Sequence, residues 1–100
     1  MFIVMFGAWN DERHEYKDFN EYLEKNKDHF VWYINSFLEE HHPKMPKFDL
    51  TDECKKFCEQ YLEKHGDEAP WFALNKDGYS YEHIRLNNLI VDAIAIFLDV

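Results

Sequence analysis

His83 to Leu98, HIRLNNLIVDAIAIFL, lies in the most apolar part of the chain and decides how the rest must be arranged. Its spacing predicts a helix over roughly residues 83–98. At about 100° per residue, Arg85, Asn88, Asp92 and Asp99 share one narrow arc, and nearly everything else is apolar. A helix that is apolar almost all round has to be covered on several sides. The chain has 100 residues, the size of one compact domain spanning 1–100, in which such a helix serves as the central element. Cover is therefore expected from the other helices and a small sheet, with a second copy of the chain (a homodimer) as the alternative. The same run is too short and too often interrupted by Asn and Asp to span a bilayer.

Working outward, three further regions have readable ends. Phe2 to Phe6 (FIVMF) is β-branched and aromatic and stops at Gly7, which predicts a short buried strand. Gly7 to Tyr16 is polar and carries Trp9, and is expected to be a loop or a helical turn. The first long helix should start near Asp18, where Asp18 and Glu21 have the form of a capping box. Phe19, Tyr22, Leu23, Phe30, Tyr33, Ile34 and Phe37 then recur at helical spacing as far as about His41. Asn26-Lys27-Asp28 is a candidate break, with Asp28 able to cap a second segment. His42-Pro43 ends the helix, because the residue before a proline is pushed out of helical conformation.

Pro43 to Lys47 is a connection with two prolines and no periodicity. Thr51 can cap the next helix, which carries Asp52 and Glu53 in its first turn and closes at Lys64-His65-Gly66. Trp71 to Tyr81 has the pattern of a hairpin with Asp77-Gly78 as its turn, although Ser80 could instead cap the last helix. The expected class is α+β: three main helices packed with a small antiparallel sheet made of the N-terminal strand and the C-terminal hairpin.

Both cysteines fall in Asp52 to His65, DECKKFCEQYLEKH. Positions four apart share a helix face, so Cys54 and Cys58 have a spacing that one zinc ion accepts. His65, however, lies about 10 Å farther along the axis than Cys58, too far for the same centre. A redox pair typically has two intervening residues, and this pair has three. Leu50, Cys54, Phe57, Cys58, Tyr61 and Leu62 instead form one apolar stripe, and free Cys behaves as a small buried hydrophobe. Core packing is the expected role, with neither a metal nor a cofactor. His14, His29, His41, His42, His65 and His83 are scattered in sequence, and no nucleophile motif or glycine-rich phosphate loop occurs. These patterns do not point to an enzyme.

Charge is more informative. Twenty acidic residues against 11 basic ones give a net charge of -9. That disfavours direct contact with nucleic acid or an anionic membrane and permits a cationic protein partner, such as one that itself binds nucleic acid. Without a basic leader before an apolar run, a cytoplasmic location is the default. On the first long helix, opposite the apolar stripe, Glu21, Glu24, Asp28, Trp32, Asn35 and Glu39 fall within one arc. Carboxylates three or four residues apart stand about 4.5–6 Å apart along the axis, close to the phosphate spacing of a nucleic-acid strand. Asp11, Glu12, Glu15 and Asp18 extend this track toward the N-terminus. A tryptophan within it is a natural interface anchor. Pro70-Trp71-Phe72 with Tyr79 and Tyr81 forms a second aromatic candidate surface.

In composition the chain resembles small, acidic, aromatic-rich phage antagonists of host defence enzymes, such as anti-CRISPR or anti-restriction proteins, and toxin-neutralising immunity or antitoxin proteins. The resemblance, which covers no particular residues, implies a stoichiometric inhibitor; the acidic arc of Glu21, Glu24, Asp28, Trp32, Asn35 and Glu39 is then the face expected to cover a basic, nucleic-acid-handling surface, by nucleic-acid mimicry. An oligomeric or structural component assembling through the apolar C-terminal helix is the alternative, and a small metal-binding protein or enzyme the third.

Overall fold

A computed structural model describes residues 1–7, 9, 11–65, 73–75 and 78–100. In chain order they form β1 (Phe2–Phe6), β2 (Glu12–Tyr16), α1 (Phe19–Lys25), α2 (Lys27–His41), α3 (Asp52–His65), β3 (Ala73–Asn75), β4 (Gly78–Glu82) and α4 (His83–Leu98). The fold is α+β, as the periodicities predict. The sheet runs β2-β1-β4-β3 and is mixed: β1 pairs antiparallel with β2 and parallel with β4.

Two expectations about the sheet are corrected here. Residues 12–16 form neither a loop nor a helical turn; they pair with β1 from Phe2↔Tyr16 to Phe6↔Glu12. The sequence Glu-Arg-His-Glu-Tyr lacks strand patterning because four of its five side chains are exposed on an edge strand. Its backbone is held by the ladder, which no side-chain pattern reports. The sheet is also not purely antiparallel, since the chain passes through three helices before β4 returns alongside β1. The hairpin itself forms, with Ala73↔Ser80 and Asn75↔Gly78 in register. Ser80 belongs to β4, and α4 begins at His83 after Glu82. The expected Asp77 and Gly66 turns and Pro70-Trp71-Phe72 fall outside the described residues.

An aromatic group joins the sheet to α1. Phe2 stacks on Tyr81 at 5.0 Å and lies 5.4 Å from Phe19 and 5.8 Å from Tyr22, while Tyr16 meets Tyr22 edge-on. Five of the 18 aromatic residues meet here, each ring burying a large area in a domain with little interior. Tyr81, one of the candidate surface aromatics, is thereby a core residue.

α4 is covered inside the chain along most of its circumference. Leu86, Ile90, Ala93 and Ile94 are buried, and Phe97 packs on Phe57 of α3 at 5.6 Å. Asp99 ends the helix in left-handed conformation (φ 58°), and the Val100 N–H to Ala95 O and Asp99 N–H to Ile96 O bonds complete a Schellman turn. In α3 the Thr51 hydroxyl accepts from the Cys54 N–H, and Cys54, Cys58 and Leu62 are buried, as the stripe predicts. Its hydrogen bond with Cys54, and then burial, push the Cys58 thiol up, so it stays protonated. No described helix is long and apolar enough to cross a membrane.

Candidate partner-binding surface

The helix carrying the acidic arc is two helices. Asn26 ends α1 and begins α2, and its side-chain amide donates to Tyr22 O at 2.9 Å. Asp28 lies in the first turn of α2, where the dipole favours an acid, and is not the cap. The six predicted site residues therefore divide, with Glu21 and Glu24 on α1 and Asp28, Trp32, Asn35 and Glu39 on α2.

Three of the six are engaged within the fold. Asp18 accepts from the Glu21 N–H at 2.8 Å, while the Glu21 carboxylate accepts from the Lys17 N–H and pairs with Lys25 at 3.2 Å. Those bonds hold its carboxyl below the usual range. Glu24 is ion-paired with Lys55, which joins α1 to α3. Asn35 donates to Phe48 O at 3.0 Å and accepts from the Phe48 N–H at 2.7 Å. It works as a clamp on the buried Phe48 backbone and is only partly exposed.

The other three are available. Asp28 and Glu39 are exposed, and among the described residues neither has an ion-pair partner. Trp32 is 65% exposed, far from the usual state of so large an apolar ring. The clamp at Asn35 and an ion pair between Lys27 and Asp49 bring the connection after α2 back along the helix. Between the two runs an open groove of about 600 Å³. Trp32, Asn35 and Glu39 line its helix side, and His42, Pro43, Met45, Pro46 and Lys47 its opposite side. Sequence reasoning found the helix side through its periodicity. It missed the opposite wall, where the only signal was a pair of prolines in a segment without repeat.

A second cluster holds two titratable groups that the fold shifts, Tyr22 and His83. The Tyr22 hydroxyl donates to Asn87 Oδ1 at 3.0 Å, and Asn87 Nδ2 donates to His83 Nε2 at 3.0 Å. His83 Nδ1 stands 3.3 Å from the Tyr22 oxygen. The ring of bonds closes when His83 is neutral with its proton on Nδ1, donating to Tyr22. Phe6 lies between the rings of His83 and His14, 4.2 and 4.3 Å away. Burial, and then the charges of His29 and His14, lower the His83 pKa below its ordinary 6.5. Tyr22, Asn87 and His83 tie α1 to α4 through these bonds, and Phe6 and His14 extend the group to the sheet.

The sign of the pH effect follows. Below about pH 6.5 the unfolded imidazole takes a proton that the folded one resists, so stability is retained above that value and falls below it. Urea midpoints should drop from pH 7.5 to pH 5.0 by more in the native chain than in His83→Gln; equal drops in both would exclude His83 as a source.

Among the described residues, no three His, Cys, Asp or Glu side chains are placed to hold a metal ion. Compared with known proteins, the chain matches no family model, and neither a curated protein nor a solved structure matches it.

Proposed function

We propose that this chain is a stoichiometric protein-binding antagonist, not an enzyme, that covers a basic, nucleic-acid-handling surface of a partner. The observation that carries the proposal is the exposed Trp32 at the edge of an open groove, flanked by Asp28 and Glu39, which have no ion-pair partner among the described residues, on a chain of net charge -9. An indole beside carboxylates suits an arginine- or lysine-rich surface, through cation–π contact and charge pairing. The negative field would speed association and make it sensitive to salt. Glu21 and Glu24, occupied within the fold, contribute to that field more than to direct contacts. This is a narrower contact than a full phosphate-like track.

The test is to capture the partner from the native host on immobilised chain, then compare binding by variants. Trp32→Ala should weaken binding roughly tenfold or more, as expected of an interface anchor. Asp28→Lys with Glu39→Lys should do likewise and flatten the salt dependence. The matched reversal Glu59→Lys with Glu63→Lys, on the outer face of α3, should leave affinity nearly unchanged. If the α2 variants bind as well as the native chain, the surface is wrong.

A further inference from the structure

The arc of α4 that the fold leaves open carries a chemically palindromic stripe. Ile84, Asn88, Asp92 and Ile96 are all exposed and follow one another at a constant spacing of four, which places them in one ridge along the helix. Two large aliphatic residues stand at the ends, 65% and 55% exposed, with an amide and a carboxylate between them. Among the described residues, neither the Asn88 nor the Asp92 side chain has a hydrogen-bond partner. Read in either direction the stripe runs apolar, polar, polar, apolar.

From this we infer that α4 is the face on which a second copy of the chain docks, antiparallel, about a two-fold axis near Ile90. In that register Ile84 meets Ile96 of the second copy and Asn88 meets Asp92 of the second copy, each contact occurring twice. Self-complementarity of this kind is what a two-fold interface requires. The amide donates to the carboxylate, so the only acids in the stripe gain partners and do not face each other. A parallel pairing would set Asp92 against Asp92.

The stripe is about 18 Å long, and a stable interface buries on the order of 800 Å² per partner, more than one ridge alone offers. The remainder lies next to it. A cleft of about 220 Å³ between α4 and α2 is lined by Val91, Ala95, Leu98 and Val100 on one side and by Tyr33 and Phe37 on the other. Tyr33 and Phe37 are 46% and 40% exposed, although their spacing marks them as core residues. A second copy against α4 covers them. The Trp32 groove lies on another side of α2, so the dimer displays it twice and does not depend on it.

Sedimentation equilibrium of the full chain over micromolar to submillimolar concentrations tests the inference. The native chain should be dimeric, and Ile84→Asp or Ile96→Asp should be monomeric with unchanged circular dichroism. Asn88→Lys decides the register: the introduced cation meets Asp92 of the second copy twice and should tighten the dimer roughly tenfold, whereas Asn88→Asp should loosen it by a similar factor. In oxidant, Ile84→Cys combined with Ile96→Cys should cross-link two copies, and either substitution alone should not. A native chain that stays monomeric throughout, or an Asn88→Lys variant that associates more weakly, overturns the proposal.

Discussion

Tyr22→Ala should cost about 3–5 kcal/mol of stability, the range for removing a large aromatic from a packed interior. Folded domains have only about 5–15 kcal/mol in total, so the variant should be partly unfolded near room temperature. Tyr22 has no exposed surface, packs against Phe2 and Tyr16, and sends its hydroxyl to Asn87. Tyr22→Phe separates these roles. It keeps the ring but leaves Asn87 Oδ1 without its donor and His83 Nδ1 without its acceptor, for a cost of about 1–3 kcal/mol. Burial raises the Tyr22 hydroxyl pKa, so at neutral pH it is a donor. Urea unfolding of both variants checks the pair of values. A Tyr22→Phe chain as stable as the native one would mean that the three-membered bond ring contributes nothing.

Asn35→Ala should cost about 2–6 kcal/mol, because it strands two part-buried backbone groups of Phe48, a donor and an acceptor, at about 1–3 kcal/mol each. The same change should weaken partner binding, since the connection that walls the groove loses its tie to α2. Asn35→Asp is the sharper test. At neutral pH the introduced carboxylate still accepts from the Phe48 N–H but confronts its carbonyl oxygen, so the loss is intermediate. Acid protonates that carboxylate and restores a donor. The gap in urea midpoint between Asn35→Asp and the native chain should therefore narrow from pH 7 to pH 4. A gap that stays constant would show that the carbonyl contact is not the cause.

Asn35 also illustrates how a sequence pattern misassigns a role. It shares the outer arc of α2 with Trp32 and Glu39, and an amide in such an arc reads as a partner contact. Its partner is a backbone group 13 residues on, brought back by a connection with no periodicity to announce it. Glu24 behaves the same way, since its lysine is on another helix. Tyr33 and Phe37 err in the opposite direction: spacing puts them in the core, yet only Phe30, Ile34 and Leu38 of α2 are buried. One helix cannot report the width of the face its neighbours will cover.

What the sequence determined by itself are the features that depend on neighbours within a few residues. The span of α4 follows from its unbroken apolar periodicity, the start of α1 from Asp18 and Glu21, the start of α3 from Thr51, and the burial of Cys54 and Cys58 from their place in a single stripe. The tertiary structure alone decided the rest. The polar strand β2 exists because β1 offers it a ladder, the parallel β1–β4 pairing because the helices return the chain to that edge, and the open groove at Trp32 because Asn35 holds Phe48. Local spacing records how a segment satisfies its own backbone and divides its own faces. It does not record which distant group will occupy a given side chain, and the availability of Asp28, Trp32 and Glu39 is a consequence of those long-range pairings.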